Sequence, residues 1–143
     1  MLRAIICLGL LMAWSGAAAA QQHATVEKAA KQTSAEQLQE ALGKNLKILV
    51  VDVRSPQEFR TGHIPGAVNI PIDNLATTLE EMKVLKDTTL VTMCERGGRS
   101  SRAALELQKM GYNTASFCTI DSWKKCGFKI DAGDAKPHSG NGG

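Results

Sequence analysis

The chain has 143 residues, Lys+Arg 17 against Asp+Glu 14, and a formal net charge of +3. That length holds one domain, and a composition 43% hydrophobic and 22% charged excludes a disordered, collagenous or coiled-coil chain. A small positive charge without basic runs argues against nucleic acid as the main partner. Residues 1–20 read as a secretory signal peptide: Arg3 opens it, 4–14 is an uncharged apolar run, and small residues lead to Ala18-Ala19-Ala20. An uncleaved anchor is the alternative, but 4–14 falls well short of the ~20 residues that span a bilayer. Cleavage after Ala20 is therefore expected. It would place the chain in a bacterial periplasm, with secretion the second choice and no stable membrane insertion. Three cysteines would remain, Cys94, Cys118 and Cys126; an odd number leaves at least one unpaired within the chain.

Residues 21–33 are polar and read as a linker or loose helix. Thr33 and Ser34 before Glu36 and Gln37 have capping-box spacing, and Leu38 and Leu42 share a helical face up to Gly43. The apolar, β-branched run 46–53 predicts a parallel strand buried on both faces. Ser55-Pro56 starts a short helical turn through Phe59, and turn residues surround a short strand at 67–70. A helix over 73–85 would turn Leu75, Leu79, Met82 and Leu85 inward. A strand follows at 88–93, then a helix over 100–110 with Ala103, Leu107 and Met110 on one face. A last strand at 114–117 and a short helix at 120–126 complete the pattern, and the Gly/Ser/Pro-rich 133–143 reads as a disordered tail. Strands alternating with helices predict an α/β domain over 34–132, with a central parallel sheet and helices on both faces.

One segment carries chemistry: Cys94-Glu95-Arg96-Gly97-Gly98-Arg99-Ser100, between a buried strand and a helix. Ligands bind at the C-terminal ends of parallel strands, and the free amides of a helix N-terminus favour an anion. Gly97 and Gly98 let the backbone curl so that several N–H groups point inward, while Arg96 and Arg99 add full charges. These features favour the Cys94 thiolate and lower its pKa. A buried strand-end cysteine before a Gly-rich turn is the bland alternative. Nucleotide binding is disfavoured, since neither G-x-G-x-x-G nor G-K-[ST] occurs in the loop.

With that loop, Val51-Asp52-Val53-Arg54-Ser55-Pro56-Gln57-Glu58-Phe59 and Gly62-His63-Ile64-Pro65-Gly66-Ala67-Val68-Asn69-Ile70-Pro71 resemble the rhodanese (sulfurtransferase) family in its single-domain exported form. Leu107, Gly111-Tyr112, Trp123 and Gly127 extend the resemblance over about residues 34–130. It implies a persulfide cycle on Cys94, with thiosulfate or a related small anion as donor and a thiol or cyanide as acceptor. The loop amides from Glu95 through Arg99 would hold the persulfide charge, the arginines would orient donor oxygens, and Ser100 would complete the binding loop. A periplasmic thiol protein is a further partner it suggests, and the chain is expected to act as a monomer. The family's phosphatase relatives carry a loop one residue longer, Cys-x5-Arg against Cys-x4-Arg here. That disfavours phosphatase or arsenate reductase activity.

Structural roles are preferred for several residues: Asp52 with Arg54 as a pair, Glu58 with a nearby Arg, His63 as a tie for its turn, and Trp123 as a packing anchor. Lys124-Lys125 reads as a solvated face that could steer anions. Two departures matter. Cys118-Thr119 stands where the family commonly has Gly-Gly, which suggests Cys118 as a resolving partner for Cys94. Against this stand a Cys118–Cys126 pair and two buried thiols. Glu95 would weaken binding of a dianion if it pointed inward. Rival functions are a thiol–disulfide redox protein using Cys94 and Cys118, and a non-catalytic persulfide carrier. Nothing in the sequence calls for a metal or an organic cofactor.

Overall fold

A computed structural model describes residues 29–134, apart from 45 and 113. In chain order the elements are β1 (Lys31–Gln32), α1 (Ala35–Gly43), β2 (Ile48–Asp52), α2 (Pro56–Thr61), β3 (Val68–Asn69), α3 (Leu75–Glu81), β4 (Thr89–Cys94), α4 (Gly98–Lys109), β5 (Ser116–Thr119) and α5 (Ile120–Lys125). A single 3-10 turn, Ile72–Asn74, leads into α3. The five strands lie in the order β1-β5-β4-β2-β3, every pair parallel. This is the α/β architecture that the alternating pattern implies.

Local sequence explains why the elements start where they do. Ser34 and Gln37 form a reciprocal capping box at α1, and Ser55 and Glu58 form another at α2, with Pro56 inside the first turn. β2 and β4 are buried on both faces, so their side chains divide between two cores by simple alternation. Val50, Val91, Met93 and Cys118 pack with Leu38 of α1, Phe59 of α2 and Trp123 of α5. Val51, Leu90 and Cys94 pack on the other side with Leu75 and Leu79 of α3 and Ala103 and Leu107 of α4. Each fully buried aliphatic side chain contributes about 1.5–3 kcal/mol, so the central strands anchor both layers. From β2 the chain continues to β3 on one side, whereas β4 continues to β5 on the other. The crevice where such directions diverge, at the ends of β2 and β4, is the expected ligand site.

Several boundaries differ from the sequence reading. The linker ends in a strand: Lys31 and Gln32 pair with Ser116 and Phe117, and the Thr33 amide donates to the Phe117 carbonyl at 2.8 Å. Backbone pairing to an otherwise open sheet edge makes this strand, with no side-chain pattern to announce it. α3 stops at Glu81 because Lys83 turns left-handed at φ +52°. Met82 and Leu85 are consequently 46% and 61% exposed, and Val84 packs against the core instead. α4 begins at Gly98, and β5 sits two residues later than expected. Residues 127–134 form a strap: His63 and Asp131 exchange backbone hydrogen bonds of 2.8 and 3.0 Å, and the Gly133 amide donates to Arg60 at 2.9 Å. The start of the supposed tail is thus tied down. The leader reading (1–20), the linker reading of 21–28 and the tail reading of 135–143 lie outside the described residues.

Candidate active site

Cys94 is the last residue of β4, and the loop after it returns its backbone toward the sulfur. The amides of Gly97 and Ser100 donate to Sγ at 3.2 and 3.3 Å, and the thiol reaches the Ser100 hydroxyl at 3.2 Å. Gly97 makes the curl, at φ +105°; a Cβ there would meet Phe117 Cε2 at 3.3 Å and Thr119 Cγ2 at 3.4 Å. Gly98 has ordinary helical geometry with open space beside it, so only one of the two glycines is conformationally required. The Ser100 hydroxyl also donates to the carbonyls of Gly97 at 3.2 Å and Cys118 at 3.3 Å. Ser100 is buried together with the Cys94 sulfur.

Burial pushes the Cys94 thiol up, but the Ser100 hydroxyl and the amides of Ser100, Gly97 and Arg99 outweigh it. The pKa lies below the ordinary 9.0. The residue is only 2% exposed, so the sulfur sits at the bottom of the loop rather than on its rim.

The loop's charged side chains go to different places. Glu95 turns toward Arg54, whose Nη1 is 3.1 Å from its Oε2, and Lys124 Nζ lies 3.7 Å from its Oε1. Arg54 is buried and held by Asp52 through Nε at 3.0 Å and Nη2 at 2.7 Å, with Nη2 also donating to the Gly62 carbonyl. Glu95 is therefore spent on cations, which answers the concern that it would repel a dianion. Arg99 is clamped by Glu58, with Nη1 to Oε2 at 2.8 Å and Nη2 to Oε1 at 2.7 Å. The Arg99 guanidinium holds the Glu58 carboxyl down at about 2. Arg96 is exposed and makes no ion pair among the described residues. The Glu58 partner was legible in type only; that it is Arg99, from the loop itself, was not. The tie between Arg54, Glu95 and Lys124 carried no sequence signal.

His63 stacks on Phe59 at 3.7 Å, and its Nδ1 lies 3.0 Å from the Phe59 carbonyl. Trp123 is 1% exposed and donates its indole N–H to the Lys129 carbonyl at 2.8 Å. Cys118 is in register with Met93, shares Met93's face, and so points away from Cys94. A disulfide needs Cβ atoms about 3.5–4.5 Å apart, so a Cys94–Cys118 link would require the strands to move, and this register disfavours a dithiol redox role. Cys118 and Cys126 are both free thiols. Burial raises the first, and a 3.0 Å hydrogen bond from Cys126 to Glu36 raises the second. Among the described residues no cluster of three metal-ligating side chains occurs, and no helix is long and apolar enough to cross a membrane.

The family model described as a rhodanese-like domain matches residues 34–125. The chain belongs to the rhodanese family. A sulfurtransferase of Allochromatium vinosum is 32% identical over 99 residues, covering 68% of this chain and 91% of that protein. The thiosulfate sulfurtransferase PspE of Escherichia coli is 32% identical over 62 residues, covering 43% of this chain and 60% of the relative. The crystal structure of a rhodanese-related protein from Thermoplasma volcanium superposes with a TM-score of 0.59 at 29% identity, covering 72% of this chain and 99% of that one. The match to the family model ends with the last residue of α5, so the strap lies beyond it.

Proposed function

We propose that this rhodanese is a sulfurtransferase that carries a sulfane sulfur on Cys94. The observation that supports this most directly is the Cys94 sulfur at the C-terminal end of β4, facing two amides and a hydroxyl. The thiolate attacks the outer sulfur of thiosulfate; the S–S bond breaks and sulfite leaves with the electron pair. The resulting Cys94 persulfide anion projects one atom further toward the mouth, where the loop amides hold its charge. A thiolate acceptor then attacks the outer sulfur, takes it as a new persulfide and returns the Cys94 thiolate; cyanide would leave as thiocyanate. Two half-reactions through one covalent intermediate give ping-pong kinetics. Arg96, exposed on the rim, is the side chain we assign to the donor's sulfonate oxygens.

We also read residues 1–20 as directing export to the periplasm, where a thiol protein would be the acceptor and the chain would work as a monomer. Thiosulfate:cyanide turnover in wild type and Cys94→Ser tests the enzyme reading. The expected result is turnover abolished by the substitution and a mass gain of one sulfur atom on wild type only. Turnover that survives Cys94→Ser overturns the mechanism, and loading without turnover assigns the chain to the persulfide carriers. The same mass reports whether the chain begins at Gln21.

A further inference from the structure

We propose that Glu58 is a specificity-determining positioning residue of this site: by clamping Arg99 it withholds that cation from the sulfur and the donor, leaving Arg96 as the loop's available charge. The inference rests on the sulfurtransferase reading and concerns the donor class the site prefers. Three observations carry it. Both guanidinium Nη atoms of Arg99 are spent on the two Glu58 oxygens, at 2.8 and 2.7 Å. Glu58 cannot swing away freely, because Oε2 also accepts the Ser55 amide at 3.0 Å and Ser55 Oγ accepts the Glu58 amide at 3.2 Å, so the α2 capping box fixes it. Arg99 itself is the residue before Ser100, whose amide and hydroxyl face the Cys94 sulfur. One of the loop's two arginines is thereby paired off. The other carboxylate of the loop, Glu95, is turned to Arg54 and Lys124.

A site with two free arginines would favour small dianions. With one of them neutralised, the loop binds a dianion less tightly and accommodates singly charged persulfide donors, such as a persulfidated thiol, comparatively better. The electrostatic origin predicts that the preference fades at high salt to the extent that the pair is solvent-facing; its side chains are 41% and 38% exposed.

Glu58→Gln is the decisive variant. Glutamine keeps the capping box and one hydrogen bond to Arg99, and removes only the charge. The expected result is a KM for thiosulfate lowered about 2–5-fold at low salt, a smaller change for a persulfide donor with no other ionised group, such as 2-mercaptoethanol persulfide, and a Cys94 thiolate titration moved about half a unit to lower pH. Arg99→Gln should shift both in the opposite sense, and the double variant should return them toward wild type. Unchanged KM and thiolate titration in Glu58→Gln, with only the melting temperature altered, would reduce Glu58 to a cap and overturn the proposal. The thiolate titration needs no turnover, and wild-type sulfur loading is read separately by intact mass. Failure of this inference is therefore distinct from failure of the sulfurtransferase reading.

Discussion

Replacing Ser100 by Ala removes one of the three polar groups on the Cys94 sulfur and leaves the two amides in place. A hydrogen bond to a charged acceptor contributes about 1.5–3 kcal/mol. The gain on ionisation is smaller, because in the thiol state the Ser100 hydroxyl already donates to the carbonyls of Gly97 and Cys118, and turning it onto the thiolate gives up about 1 kcal/mol. The net is about 1 kcal/mol, and with 1.36 kcal/mol per pKa unit the Cys94 pKa should rise by about 0.5–1 unit. Sulfur loading from thiosulfate would then fall about 3–10-fold well below that pKa, and the two proteins would converge as pH rises above it. Ultraviolet thiolate absorbance against pH gives the pKa directly, and single-turnover loading at several pH values gives the rate. A Ser100→Ala protein that titrates with wild type would show that the amides alone poise the sulfur and would refute a role for the hydroxyl.

Other outcomes follow from the same geometry. Gly97→Ala forces a side chain into left-handed backbone against Phe117 and Thr119; a loss of about 1–3 kcal/mol in urea unfolding and a raised Cys94 pKa are expected. Asp52→Ala strips the fully buried partner from Arg54, and about 3–5 kcal/mol of stability should go with it. The folded Glu58 carboxyl, at about 2, lies below its ordinary 4.5, so its pairing stabilises the fold above 4.5 and is lost as pH falls toward 2. With the pair partly exposed this amounts to about 1 kcal/mol, and Glu58→Gln should flatten that much of the acid limb of a stability profile. Oxidation with diamide should give no Cys94–Cys118 link in peptide maps of the folded protein; its appearance under native conditions would contradict the strand register.

Strong local signals made much of this legible. The apolar runs of β2 and β4 and the spacings Ser34-to-Gln37 and Ser55-to-Glu58 act within a few residues, so they survive in sequence. The same holds for a cysteine opening onto Gly-Gly and a helix. What escaped depends on partners far along the chain. β1 exists because the edge of β5 needs a neighbour, and its two residues carry no periodicity. The apolar spacing of α3 runs on through Met82 and Leu85, and nothing before Lys83 announces a left-handed turn. The pairing of Arg99 is not legible in the loop because its acceptor lies 41 residues earlier, on another helix.

The strap bears on where this domain can be cut. A fragment ending at residue 125, where the family match stops, would keep every helix and strand, yet orphan the Trp123 indole by removing the Lys129 carbonyl. It would also unzip the amide and carbonyl of His63 from Asp131 and uncover the Gly62 backbone that lies against Ile130. Because Gly62 supplies a carbonyl to Arg54, and Arg54 holds Glu95, trimming residues remote from Cys94 would loosen the floor beneath the Cys94 loop. The smallest autonomous unit therefore extends to about residue 134.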